Sequence, residues 1–345
     1  MITFLQPHDE AEYHHFLENC SVSTFYHTWA YKKFLESILE RSKSMYFIFK
    51  KEDRIMGCLP SFQKDTSLGA CLNALPFYGS YGAPVVREDV TFEEKIFIKE
   101  TLINAYLEYA GENCVSYNLI DNPFDENLHD VFPLFKKKIT DYRISQMSQL
   151  PTNGDISFDN LTASFHHKTR NLVRKSLKIG FQLHESNNII PLYELHKNNM
   201  QHIQGKEKPL HVLKNLLKNY EHKKDYDIYY AFKDGIVSAC LLVFYYRQTV
   251  EYFTPAIHPL YRHEQPLLFL IYHAMQKAIQ NNYSLWNWGG TWSSQEGVYH
   301  FKKRFGVIEK KYYYYHDQKF EPHILQSELL ENFPFYYVKN FTEDA

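Results

Sequence analysis

The chain has 345 residues, 44% of them hydrophobic and 23% charged, with a formal net charge of −2. The length predicts about two domains, and the near-neutral balance excludes a general polyanion binder, so nucleic acid would have to be met by a local basic patch. An aromatic share of 17% supplies a large core with rings to spare for a cleft, while five scattered cysteines without a CxxC pair fit a reducing compartment better than a disulfide framework.

In the first half, Trp29, Phe34, Leu35, Ile38 and Leu39 form a helical stripe over residues 28–40. Residues 45–49 and 54–59 read as two strands joined by the polar turn Lys50-Lys51-Glu52-Asp53. Residues 75–86 carry Pro76, Gly79, Gly82 and Pro84, the composition of a shaped loop. Thr91 followed by Glu94 predicts a capped helix to about Ala110. A strand at 114–120 follows and ends at Asp121-Asn122-Pro123.

Residues 151–159, rich in Asn, Gly, Asp and Ser, read as a connector. Next comes a predicted helix over 161–179 carrying Lys168, Arg170, Arg174, Lys175 and Lys178 and no acid. Helices at 190–204 and 210–220 flank a charged break at 205–209. The order of the first half then recurs: a strand at 226–232, a turn at Lys233-Asp234-Gly235, a strand at 236–245, a strand at 250–253, a loop with Pro255 and Pro259, a helix at 266–280 and a strand at 285–288. Such self-similarity predicts two copies of one α+β unit, each a mostly antiparallel sheet with packed helices. The expected domains are 1–155 and 156–345, the second with a basic entry helix and an aromatic tail docking through Phe333, Phe335, Tyr336 and Tyr337.

The stretch LWNWGGTWSSQEGVYHFKKRFG, residues 285–306, concentrates the chemistry. Alternation puts Trp286 and Trp288 on one face, as core. The paired glycines read as a turn that a ligand can approach. Trp292 lies beyond them as a ligand wall, and Tyr299 is either core or a stacking residue. Lys302, Lys303 and Arg304 end a short helix before Gly306, where they complement the dipole or bind an anion.

Three stretches resemble the FemAB-like group of the GNAT acyltransferase superfamily, the tandem-GNAT enzymes that include aminoacyltransferases of peptidoglycan bridge synthesis. They are FHHKTRNLVRKSLKIGFQL (165–183), EQPLLFLIYHAMQKAIQNNYSLWNWGG (264–290) and EGVYHFKKRFG (296–306), the last being the most specific. The resemblance covers residues 25–315 and implies two GNAT domains. The implied reaction is transfer of an acyl or aminoacyl group to a primary amine, here of a cell-envelope precursor such as a muropeptide or an amino sugar. It also implies a nucleotide- or lipid-linked acceptor, a donor that is aminoacyl-tRNA or acyl-CoA or an acyl carrier, and no tightly bound cofactor. Carried over by position, Lys302 and Lys303 become candidate diphosphate contacts, and Arg170 and Arg174 become candidates to line the cleft or meet the donor.

Two departures qualify the donor. The expected coenzyme A pyrophosphate loop falls at RHEQPL, residues 262–267, without glycine, so its backbone cradles a pyrophosphate less readily. The long coiled-coil arm of some tRNA-dependent members is also absent from the sequence. Acyl transfer to an amine needs a deprotonated amine, a stabilised oxyanion and aligned reactants, but no covalent nucleophile. Candidate bases are Asp121, at the end of the first-half strand, and Glu296, after the glycines. As a structural alternative, Asp121 is an ordinary turn residue and Glu296 a first-turn helix acid. Eighteen histidines without HExxH or HxxxH spacing on a convincing helix argue against a metal site. The N-terminus lacks the pattern of a signal peptide and no apolar run reaches the ~18 residues of a membrane span, so a cytoplasmic location is expected.

Overall fold

The structure, a computed structural model, describes residues 1–66, 69–75, 81–152, 154–202, 205 and 207–319. The chain divides into two compact units, Met1–Arg143 with the stretch from Lys311 onward, and Ile144–Lys310. This differs from the expected division at 155/156, because the chain crosses from one unit to the other within one strand and returns within another. The expected docking of the aromatic tail through Phe333, Phe335, Tyr336 and Tyr337 lies outside the described residues.

The first unit contains β1 (Ile2–Phe4), α1 (Glu10–Glu18), α2 (Trp29–Ile38), β2 (Ser42–Ser44), β3 (Phe47–Lys51), β4 (Arg54–Leu59), β5 (Phe62–Thr66), β6 (Gly69–Asn73), β7 (Val85–Val86), α3 (Phe92–Asn113), β8 (Cys114–Ile120), α4 (Leu128–Val131) and the start of β9 (Ile139–Gln149). The predicted hairpin turn forms at Glu52 and Asp53, both with positive φ. The predicted cap of α3 forms too, with Thr91 Oγ1 accepting from the Glu94 amide at 3.2 Å. One sheet runs β1-β3-β4-β7. In the other, β8 lies parallel to β6 on one side and antiparallel to β15 (Val307–Gln318) on the other. The buried face of α3, through Ile98, Leu102, Ile103 and Tyr106, closes the core against these strands.

The second unit contains the rest of β9, then α5 (Phe158–Leu161), α6 (His167–Ser176), β10 (Gln182–Ser186), α7 (Ile190–His202), α8 (Leu210–Lys218), β11 (Tyr226–Lys233), β12 (Ile236–Tyr246), β13 (Thr249–Ile257), α9 (Pro266–Gln280), β14 (Leu285–Thr291), α10 (Glu296–Lys303) and the start of β15. Its strands are ordered β10-β11-β12-β13-β14-β9. All neighbours are antiparallel except β13 and β14, which α9 joins as a crossover helix. The nearly all-apolar α9 is buried through Leu267 to Tyr272 against Tyr229, Leu241, Val243 and Trp286 in one core cluster.

Three sequence expectations are corrected. The strand expected to stop at Phe253 runs through Pro255 to Ile257. A proline is tolerated there because β13 has by then lost its β14 neighbour, leaving an open edge. Gly289 and Gly290 are not a turn after a strand but lie inside β14, where its pairing with β9 shifts register between Asn287 and Gly290. The helix expected over 161–179 is shorter, α6 from His167 to Ser176, because the chain turns over Thr162 to His166 after α5 ends at Leu161.

Candidate active site

The second unit opens where its parallel strand pair β13–β14 comes apart. β13 and β14 pair only at Thr249↔Leu285, Val250↔Trp286 and Glu251↔Asn287. Both strands continue, β13 along β12 to Ile257 and β14 along β9 to Thr291. Their carboxyl ends therefore diverge into a fork, and crevices beyond the carboxyl ends of parallel strands are the usual ligand sites of such sheets.

Glu251 and Asn287 sit at the root of this fork and both are buried. An isolated carboxylate is costly to bury, but Asn287 Nδ2 donates to Glu251 Oε2 at 2.6 Å. The Gly289 amide in turn donates to Asn287 Oδ1 at 3.0 Å. Gly289 adopts φ +73°, a conformation that favours glycine, and so aims its amide back at Asn287.

α10 brings a buried lysine to the same strand. Phe305, just past its end, packs on Trp288 at 4.4 Å and on Phe165 at 5.0 Å between ring centroids. Ser148 Oγ accepts from Trp288 Nε1 and donates to the Phe305 carbonyl, each at 2.9 Å. So anchored, the helix turns Lys302 inward, where its Nζ donates to Thr291 Oγ1 at 2.9 Å. Thr291 Oγ1 lies 3.3 Å from Gln146 Oε1. The neighbouring Lys303 stays at the surface, donating to Tyr299 Oη at 2.8 Å and facing Glu309 Oε2 at 3.3 Å. Those two partners, Tyr299 foremost, hold its pKa above the usual lysine value. Thus the adjacent cations occupy different environments: Lys302 is an interior group beside β14, and Lys303 closes a surface cluster with Tyr299 and Glu309.

The basic helix α6 starts beside the end of α10. The His166 amide donates to the Arg304 carbonyl at 2.8 Å, and Gly306 lies against Ser164. Desolvation by its neighbours first, and then its proximity to His167, Arg304 and Lys168, lower the His166 pKa. Arg174 is tied down, with its guanidinium over Phe158 at 4.5 Å and 3.5 Å from Asp159. Arg170 is half-buried one turn earlier. Trp292 is half-buried in the loop after β14, its amide 3.4 Å from Gln295 Oε1, and Glu296 is exposed at the first residue of α10.

Asp121 has a different surrounding. It is buried in the first unit and accepts from the Leu128 amide at 2.9 Å, the Tyr313 amide at 3.0 Å and Tyr315 Oη at 2.7 Å. Three donors make it a brace for the chain after β8 rather than an open base, which corrects the catalytic expectation for that residue. The first unit also lacks the fork among its described residues. Its parallel pair β6–β8 shifts register after Ala70 but keeps pairing to Asn73↔Asn118 and is extended by Ala74 N to Asn118 O at 2.9 Å and Gly82 N to Ile120 O at 3.1 Å.

Of the sequence-derived candidates, Lys302, Lys303, Tyr299, Trp292 and Glu296 are all carried by the loop after β14 and by α10. Glu251, Asn287, Thr291 and Gln146 were not foreseen. Two signals for them exist in the sequence: Glu251 is the one charged residue of its strand, and Asn287 is the polar residue between two core tryptophans.

The start of α9 bears on the donor. Gln265 adopts φ +63°, Pro266 at the first helical position has no N–H, and the amides of Leu268 and Phe269 both turn to the Gln265 carbonyl. Few backbone donors remain there for a pyrophosphate.

Residues 163–303 match the family described as Acetyltransferase (GNAT) domain. The fold is similar to that of FemX, at 12% identity and a TM-score of 0.68, covering 91% of this chain and 96% of that one. It is also similar to the C-terminal domain (DUF2156) of a putative lysylphosphatidylglycerol synthetase from Agrobacterium fabrum, at 11% identity and a TM-score of 0.55, covering 98% and 99%. A tandem GNAT protein from the clavulanic acid biosynthesis pathway matches at 10% identity and a TM-score of 0.55, covering 92% and 98%. No curated protein matches the sequence. Among the described residues, no helix is long and apolar enough to cross a membrane.

Proposed function

We propose, from the match of residues 163–303 to the acetyltransferase (GNAT) domain family and the similarity of the fold to FemX and to a tandem GNAT protein, that the chain forms an amide on a primary amine of a cell-envelope precursor. The amine attacks an activated acyl or aminoacyl carbon, the bond from that carbon to the carrier oxygen or sulfur breaks, and the carrier leaves protonated. The observation that carries this reading is the fork after Glu251↔Asn287, with a buried carboxylate at its root and a buried lysine on the adjoining strand. Glu251 takes the ammonium proton of the acceptor or orients its amine, and Asn287 holds the carboxylate for that task. Lys302 meets the phosphates of the acceptor or the charge developing on the acyl oxygen, with Lys303 at the surface. Trp292 and Tyr299 wall the entrance, Glu296 is the second carboxylate on offer in this unit, and Arg170 and Arg174 of α6 meet an anionic donor or acceptor.

The proline and inward-turned amides at the start of α9 favour aminoacyl-tRNA over acyl-CoA as donor, and the acid-free run of cations on α6 suits a polyanion. Transfer of an aminoacyl group to an envelope component also fits the name of the Agrobacterium relative, a putative lysylphosphatidylglycerol synthetase.

The test supplies tRNA charged with radiolabelled amino acids together with muropeptides or nucleotide-linked amino sugars. Label is expected in the acceptor only with charged tRNA, and RNase treatment abolishes it. Thiol release from acyl-CoA with the same acceptors would instead support the coenzyme A or carrier-dependent alternative. Neither reaction, combined with thermal stabilisation by the acceptor alone, would make the protein a non-catalytic binding pair.

A further inference from the structure

We infer that Gln146 is a positioning residue for Lys302, carrying the negative charge of Glu309 inward through Thr291; this rests on the substrate-contacting role proposed for Lys302. The path is continuous. Gln146 Nε2 donates to Glu309 Oε1 at 3.0 Å, Gln146 Oε1 lies 3.3 Å from Thr291 Oγ1, and Lys302 Nζ donates to Thr291 Oγ1 at 2.9 Å.

The sense of every link follows from chemistry. A lysine ammonium only donates, so Thr291 Oγ1 accepts from it and spends its single hydrogen on Gln146. A carboxylate only accepts, so the Gln146 amide must present its NH2 to Glu309 and its oxygen to Thr291. The other Nε2 contact, to the Tyr299 carbonyl at 3.2 Å, requires the same orientation. Both ends therefore fix the amide, and hydrogen bonds aligned in one sense polarise one another. On its outer side Glu309 is held by Tyr299 Oη at 3.1 Å and Lys303 at 3.3 Å, so the surface cluster and the interior lysine are joined through one glutamine.

The experiment follows the Lys302 ammonium directly, in protein with ¹⁵N-labelled lysine, by its proton–nitrogen correlation at neutral pH. The signal is assigned by its loss in Lys302→Arg. Thr291→Val, which removes the middle link, is expected to speed hydrogen exchange of that ammonium at least about tenfold, the effect of losing one charged hydrogen bond, while Glu309→Gln, which removes the charge but leaves the Thr291–Lys302 bond in place, is expected to speed it by a smaller but resolved factor. The double exchange Gln146→Glu with Glu309→Gln gives up the Tyr299 carbonyl contact but places a carboxylate directly against Thr291 with an amide donor behind it, and is expected to slow exchange again, which a merely space-filling side chain would not do. Unchanged exchange in Thr291→Val and Glu309→Gln proteins with unchanged melting overturns the inference. The readout needs no substrate: if exchange responds while Lys302→Ala transfers acyl groups normally, the relay stands and the substrate role of Lys302 fails.

Discussion

Asn287 faces Glu251 across the last rung of the parallel ladder, its side-chain amide 2.6 Å from the carboxylate. The contact sits where β13 and β14 separate, so the buried charge is satisfied on one side by a neighbouring strand. In Glu251→Gln the Asn287 contact persists through the new carbonyl oxygen while the base is lost. The expected result is a fall in kcat of about 10²–10⁴-fold with little change in KM. Asn287→Leu, by contrast, leaves the carboxylate without this donor and should cost about 1–3 kcal/mol in urea unfolding. A Glu251→Gln protein with full turnover would remove Glu251 from the chemistry.

Asp121 is predicted to act on stability, not on rate. Its carboxylate gathers two backbone amides and the Tyr315 hydroxyl within the first unit. Asp121→Asn turns one acceptor oxygen into a donor facing a donor, at an expected cost of about 1–3 kcal/mol. Turnover of the folded variant should match the parent. The Tyr315 hydroxyl, its pKa pushed up by burial and then by the Asp121 charge, remains protonated throughout the accessible range.

The contrast between Asp121 and Glu251 also explains how far the sequence could be read. Local chemistry was legible: the Thr91 cap, the turn at Asp234-Gly235 and the helix beginning at Pro266 all form as their residues dictate. The duplication was legible because the two hairpins repeat in order. The fork was not, since it is defined by where pairing between distant segments stops. β9 and β15 escaped for a related reason. Ser145, Gln146 and Ser148 of β9 are buried polar residues, so the strand shows no apolar alternation, and the site itself erased the signal. The double glycine pointed to a special backbone conformation, but whether that was a turn or a bulge depended on β9.

Gly306 ties the end of α10 to the start of α6, and its replacement should separate steric from conformational cost. It has φ +67°, and an added Cβ would stand 2.6 Å from Ser164 Cβ and 2.7 Å from Ser164 O. Gly180 has φ +88° with nothing within 4 Å of such a Cβ. Gly180→Ala is therefore expected to cost about 1–2 kcal/mol, the backbone term alone. Gly306→Ala should cost clearly more and also lower activity, because Lys302 rides on the same helix end. Equal melting temperatures for the two variants would show that residues 164–166 yield freely.

Two buried histidines predict how stability responds to acid. Burial lowers the pKa of His27 from 6.5 to about 3, against a small opposing effect of the Thr24 amide that donates to its Nδ1 at 3.1 Å. Burial, followed by the Lys208 cation, lowers His196 from 6.5 to about 3. Each ring is neutral in the folded protein while its unfolded counterpart takes up a proton below pH 6.5. The unfolded state thus binds more protons between those limits, so stability is retained above the unfolded value and lost as pH falls toward the folded one. Each histidine contributes a slope approaching about 1.4 kcal/mol per pH unit in that window. His27→Asn keeps an acceptor for the Thr24 amide but cannot be protonated. Urea unfolding at pH 7 and pH 5 should therefore show a shallower loss of stability for this variant than for the parent, and an identical loss would mean that His27 takes up its proton in the folded protein as readily as in the unfolded chain.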